Sequence, residues 1–276
     1  MKCNLKSVSA VFAAVILLFL SGCTVAKFES QEQVKQKEED KNRMVAQSAT
    51  VVPHDMLADD LTFEQELRTS KGVLLATYTA HVPQFKTDGA KSTVFERLNA
   101  FYKEEYEVFS EDCTLFFNYV KQSYGDKWDS VTAEKAKPQT TEFTYEMVDA
   151  PAQYISFVHT FQTTDSAGVA ETRHYGEVFD RETGWRLKFS DLFGTQTPQA
   201  QTRLMEQLKA WCTENGLTYE TEGTLTADDL TGEFAVSQTE LIVCLEPFAL
   251  SADDSTGRLC RLSLSAFEDL MGVAVK

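Results

Sequence analysis

Histidine, cysteine and clustered aspartate are the residues of this chain that could do chemistry. The four histidines are His54, His81, His159 and His174. His174 with a cysteine would make a nucleophile and base pair, but no spacing brings the two together. His159 shares a strand face with Phe157 and Phe161, which favours a hydrogen-bonded core or rim histidine over a catalyst. Asp228-Asp229 and Asp253-Asp254 have the residue types of a general acid/base pair or a calcium site. Neither shows EF-hand spacing. Both lie beside Thr, Ser or Gly, where aspartates cap turns and helices. G-x-S-x-G, H-E-x-x-H, P-loop and dinucleotide fingerprints are absent. The expectation is a chain with no catalytic residues, no metal and no cofactor. A hydrolase of the cell envelope using Asp/Glu or His174, or a structural component of an envelope complex, are the alternatives.

Of the six cysteines, Cys113, Cys212, Cys244 and Cys260 lie on apolar stripes. An even number permits two disulfides, with Cys244 and Cys260 the first pair to consider. Buried free thiols fit their apolar neighbours better, and a domain of ~220 residues can bury enough core without staples.

From Thr213 to Gly257 there are ten acidic residues and no lysine or arginine. Solvated surfaces usually mix signs, so the stretch gives a negative potential unless folding brings bases from elsewhere. It makes Asp228, Asp229, Glu246, Asp253 and Asp254 candidates for contacting a basic protein, with Phe248 as an apolar anchor or else a core residue. The whole chain carries a formal charge of −16. Such a domain repels nucleic acid.

These residues must be positioned by local elements. Thr93-x-x-Glu96 has the form of a capping box. Behind it Val94, Leu98, Phe101, Phe109, Cys113, Phe116, Val120 and Tyr124 recur at helical spacing, with Tyr106 inside the one longer step, and Gly125 closes the helix. A second helix spans 198–215, with Leu204, Leu208, Trp211 and Cys212 inward. Alternation predicts strands around Leu61–Leu67, then at 73–82, 141–148, 153–163, 169–179 and 185–189. Further strands are expected at 234–236, 240–245 and 258–265, followed by a helical turn over 266–271. The fold class expected is α+β, mainly antiparallel sheet packed by one long and one shorter helix.

The first residues carry an address. Lys2 and Lys6 precede Val8–Leu20, an almost unbroken apolar run of 13 residues, short of the ~20 that span a bilayer. Leu20-Ser21-Gly22-Cys23 follows and resembles the bacterial lipobox. The expectation is a signal peptide over 1–22, removed on export, and a diacylglyceryl group on Cys23. Loss of Lys2 and Lys6 takes the formal charge from −16 to −18. Residues 23–52 read as a lipidated flexible tether, neutral overall, with ends ~30 Å apart as a coil. Residues 53–276 form the domain, its first part about 61–165 and its second about 169–276. It is expected to face the extracellular or periplasmic side of a membrane.

His174-Tyr175-Gly176-Glu177-Val178-Phe179-Asp180, then Thr183-Gly184, Leu187 and Ser190-Asp191-Leu192-Phe193, resemble a bacterial domain of unknown function. That domain is the extracellular part of RsiV-type anti-sigma factors, and related modules precede PdaC-type peptidoglycan deacetylase domains. Val82-Pro83-Gln84-Phe85 and Leu98-Asn99 are similar to its beginning, Leu241–Phe248 and Leu262–Leu270 to its end. The resemblance implies an α+β fold and an extracytoplasmic binding role, with lysozyme, another basic protein or cell-wall material as partner. Only Met1–Lys6 precedes the apolar run and no deacetylase domain follows Lys276, so neither sigma-factor sequestration nor deacetylation is expected. No catalytic residue transfers.

Overall fold

The computed structural model describes residues 56–89, 92–219, 225–251 and 256–271. Five strands make the first sheet: β1 (Leu61–Arg68), β2 (Leu74–Val82), β3 (Gln139–Val148), β4 (Tyr154–Thr164) and β5 (Ala170–Asp180), paired in that order. All its ladders are antiparallel except β2 with β3. Those two strands flank α1 (Ser92–Tyr124), a helix of 33 residues that supplies the crossover a parallel pair requires.

Alternation decides which side of the first sheet faces α1. Ile155 and Phe157 on β4 and Phe179 on β5 join Leu98, Tyr102, Phe109 and Phe116 of the helix in one core. The alternate residues Val158 and Val148 face the other way, against Ala235 and Ile242. These belong to a second, antiparallel sheet of β6 (Phe234–Val236), β7 (Glu240–Leu245) and β8 (Arg258–Ser263). Leu241, Val243 and Leu245 point away from the first sheet, into a core with α2 (Phe189–Phe193) and α3 (Thr197–Glu214). Each such aliphatic side chain contributes about 1.5–3 kcal/mol by leaving water. The layers are therefore helix, sheet, sheet, helix. Among the described residues no helix is long and apolar enough to cross a membrane.

The sheets meet at Gly176. A β-carbon there would lie 2.2 Å from the carbonyl carbon of Phe234, so only glycine lets β6 pass this close to β5. The main-chain N–H of Val236 donates to the buried Ser156 hydroxyl at 2.9 Å, a second tie across the seam.

The strand expected over 185–189 does not form. Arg186 makes a single bridge to Phe179, and Phe189 opens α2. The cause is Asp191, whose carboxylate accepts the Lys188 N–H at 2.8 Å and fixes a helical turn. Phe189, Leu192 and Phe193 then fill the core. The helical turn expected over 266–271 starts earlier, as a 3-10 turn at Leu264–Phe267. α1 begins at Ser92, so Thr93 lies inside its first turn rather than capping it. All four described cysteines are buried free thiols. Cys244 stands opposite Leu259 and Cys260 opposite Val243, so the two side chains leave opposite faces of the second sheet and cannot pair.

Candidate functional site

The sequence-derived acidic candidates divide by what they touch. Asp229 sits in the first turn of α4 (Ala227–Thr231) and caps it: its carboxylate accepts from the Thr226 N–H and the Thr226 hydroxyl, both at 2.7 Å. These bonds hold its carboxyl below the usual carboxylate range. Its neighbour Asp228 accepts from the Gln201 amide of α3 at 2.8 Å. Glu246 lies on the Arg173 guanidinium at 3.0 Å, and burial pushes its carboxyl up against that pull. Asp253, Asp254 and Cys23 lie outside the described residues.

Folding brings bases to the ten-acid stretch. Arg173 pairs with Glu246, Arg186 with Glu233 at 3.2 Å, and Arg261 with Glu240 at 2.9 Å. These bases reach three of the ten acids, and a second negative face lies on α1. Between Glu104 and Val120 this helix carries Glu104, Glu105, Glu107, Glu111 and Asp112 and no base. Glu104, Glu107 and Glu111 are exposed and form no ion pair among the described residues. Their spacing of three and four puts them on one helix face with Val108 and Leu115, which are 36% and 50% exposed.

Phe248 is a surface residue, 49% exposed, not part of the core. It occupies the third position of a turn closed by the Ala249 N–H on the Glu246 carbonyl at 3.1 Å. Its φ of 66° makes it the one non-glycine with positive φ among the described residues. With Pro247 before it, the turn has the type II pattern, whose third position favours glycine. A phenylalanine there carries backbone strain.

His159 is the buried, hydrogen-bonded histidine that its strand face predicts, and the polar cluster around it has no motif in the sequence. Glu177 faces α1 from β5 and is 8% exposed. It accepts from the Tyr102 hydroxyl at 2.8 Å and pairs with His159 Nε2 at 2.9 Å. Arg186 lies 3.8 Å from its other oxygen and donates to the Gly176 carbonyl at 3.3 Å. Burial alone would raise the Glu177 carboxyl. The charge and hydrogen bond of His159, with Arg186 and Tyr102, outweigh it and hold the group at about 2. Glu105 above it is pushed up to about 7 by burial and by Glu177. Glu233 also rises to about 7, by burial with Glu177 and Glu246, against Arg186. The inward parity of Glu177, two residues before Phe179, was the available signal. Glu177 and His159 side chains are only 10% and 4% exposed, and the cluster ties α1, β4 and β5 to Glu233, just before β6. His174 is separate: its Nδ1 lies 3.1 Å from the Thr160 hydroxyl, and burial lowers its ring's affinity for protons. Burial likewise pushes all four thiols up, Cys113 to about 11, which disfavours the nucleophilic thiolate. Among the described residues no group of His, Cys, Asp and Glu is arranged to hold a metal.

An open cleft of about 410 Å³ lies where the sheet splays, lined by Leu57, Asp60, His81 and Thr144–Met147. The β2–β3 ladder ends at Ala80 and Phe143, while β3 continues to Val148 beside β4 alone. The Tyr145 hydroxyl donates to Asp60, and burial, then Asp60, pushes the Tyr145 phenol up. His81 Nδ1 lies 3.8 Å from Asp60 and 3.2 Å from the Thr62 hydroxyl. Tyr106 of α1 donates to the carbonyl of Thr62, the ladder partner of His81, at 3.4 Å.

No family model and no curated protein matches the sequence. Solved structures do resemble it. A DUF3298-family protein from Bacteroides fragilis superposes with a TM-score of 0.52 at 12% identity, covering 78% of this chain and 94% of that one. A DUF3298-family protein from Pseudomonas aeruginosa PAO1 gives 0.48 at 9% identity, covering 81% and 98%. The first likeness establishes a shared fold, that of a bacterial domain of unknown function.

Proposed function

We propose that this chain is a lipid-anchored extracytoplasmic binding domain without enzymatic activity, related to the RsiV-type domains, and that its partner is a basic protein, lysozyme being the first to test. The observation that carries the reading is the unpaired acidic face of α1, with exposed Val108 and Leu115 among its carboxylates. Apolar contacts ringed by charge are the composition of a protein interface. Phe248, exposed at an energetic cost, is a second apolar anchor. The lipobox-like Leu20–Cys23 segment supports attachment to the outer face of a membrane.

Two experiments test this. Mass spectrometry of the mature protein should show an acylated Cys23 at its N-terminus, and an unmodified N-terminus elsewhere removes the anchor. Surface plasmon resonance of the full chain in detergent against lysozyme should show binding that weakens with salt, mainly through slower association, because exposed charges are screened over ~8 Å at physiological ionic strength. Changing Glu104, Glu107 and Glu111 together to glutamine should slow association about threefold or more with little effect on the melting temperature. Absence of binding rejects lysozyme as the partner. Binding indifferent to salt and to the triple change rejects the role given to α1.

A further inference from the structure

The cleft where β2 and β3 part has the chemistry of a socket for one cationic side chain. Its two carboxylates differ in their commitments. Asp60 accepts from Tyr145 through Oδ1 and keeps Oδ2 at 3.8 Å from His81, too far for a hydrogen bond. Glu146 is exposed and has no hydrogen bond or ion pair among the described residues, although it lines the cleft. The lining also includes Leu57, the buried Met147 and the half-buried Tyr145. Among the described residues no lysine or arginine lines the cleft.

We infer that this cleft seats a lysine or arginine side chain presented by a basic polypeptide. The aliphatic stem of such a residue packs on Leu57 and Met147 while its head lies between Glu146 and Asp60. A guanidinium offers paired donors matched to a carboxylate, and the Tyr145 ring adds an aromatic surface that attracts cations. Asp60 is held in place by the Tyr145 hydroxyl, so one acceptor is preset before the ligand arrives. The net negative charge of the chain draws a positive segment toward it. A neutral sugar would use the same hydroxyl and carboxylate acceptors but would gain nothing from the charge. The two formal negative charges facing an open cleft therefore favour the cation. This inference rests on the proposed capture of a basic protein and names the residues that would hold it.

The test uses the full chain in detergent with methyl-labelled methionine, the Met147 signal being assigned through Met147→Leu. Agmatine, a guanidinium without a polypeptide, should shift the Met147 methyl resonance saturably, and the uncharged N-acetylglucosamine trisaccharide should not. In parallel, lysozyme binding is measured for Glu146→Gln and for Asp60→Asn with Glu146→Gln. Both changes preserve shape, and the amide oxygen introduced by Asp60→Asn can still accept from Tyr145. The double variant is expected to lose about tenfold in affinity, mostly as faster dissociation. The outcomes separate the two readings. A Met147 shift with agmatine and no lysozyme binding keeps the socket and removes lysozyme. Lysozyme binding that the double variant leaves unchanged overturns the socket and keeps the partner. No agmatine shift at Met147, or a shift with the trisaccharide instead, overturns the socket.

Discussion

Gly176→Ala is expected to destabilise the protein by about 3 kcal/mol or more, at or beyond the upper end of ordinary overpacking. The added methyl would sit 2.2, 2.4 and 2.5 Å from the carbonyl carbon, oxygen and Cα of Phe234. All three are main-chain atoms, so no rotamer change relieves the clash. β6 must lift away from β5, and several ties stretch with it. Arg186 loses its joint hold on the Gly176 carbonyl and Glu233. Val236 moves off the Ser156 hydroxyl, leaving a buried oxygen short of a partner. Phe234, 3% exposed, is drawn from the core beneath α2. For a domain of this size 1 kcal/mol corresponds to roughly 2–4 °C, so the midpoint should fall by about 6–12 °C. Gly232→Ala is the control. Its β-carbon meets nothing within 4 Å and its φ of −72° suits any residue, so its melting temperature should stay level or rise slightly. A Gly176→Ala protein that melts with the wild type would show that the sheets are not in close contact there.

The seam explains what the sequence did and did not disclose. Period and length were legible wherever one element buries one face: the α1 stripe from Val94 to Val120, and the alternation of Ile155, Phe157 and His159. Trp185, Leu187 and Phe189 alternate as well, but Asp191 outweighs that pattern by holding a helical turn. Side-chain period carries no strand direction, so the parallel pairing of β2 with β3 had no local signature. Charge partners were hidden for another reason. Arg173 and Glu246 are 73 residues apart, Arg186 and Glu233 47, so the bases that reach these acids are not visible within the stretch itself. The cleft draws on Leu57, Asp60, His81 and Thr144–Met147, three separate segments with no motif among them. Phe248 was visible as a residue beside a proline in a loop. Its positive φ was not, because the third position of such a turn is normally announced by glycine.

Glu177→Ala is expected to cost about 3–5 kcal/mol, the usual result of removing one partner from a buried, hydrogen-bonded ion cluster. Alanine leaves the Tyr102 hydroxyl and His159 Nε2 unpaired at 1% and 3% exposure and deprives Arg186 of its inner partner. The cluster also shapes the pH dependence, with two limbs of opposite sign. Glu177 is held at about 2 against an ordinary 4.5, so its contribution is present above 4.5 and is lost as the pH falls toward 2. Glu105 and Glu233, raised to about 7, and Asp112, raised to about 6 by burial and by Glu111, behave oppositely. The folded state keeps their protons where the unfolded chain has released them. Their contribution is present at acid pH and is lost as the pH rises toward 7. Stability should therefore peak near pH 4.5 and decline toward neutrality. Because Glu233 is 36% exposed, solvent screening limits its share of that decline to about 1 kcal/mol. Glu177→Gln preserves the shape and an acceptor for Tyr102 while removing the charge. It should flatten the acid limb, since the depressed carboxyl is gone. It should also flatten the neutral limb, since the Glu177 charge helps raise both Glu105 and Glu233. Urea unfolding at pH 3, 4.5 and 7 separates these effects. A wild type most stable at pH 7, or a Glu177→Gln profile parallel to that of the wild type, would mean that this cluster does not govern the titration of the fold.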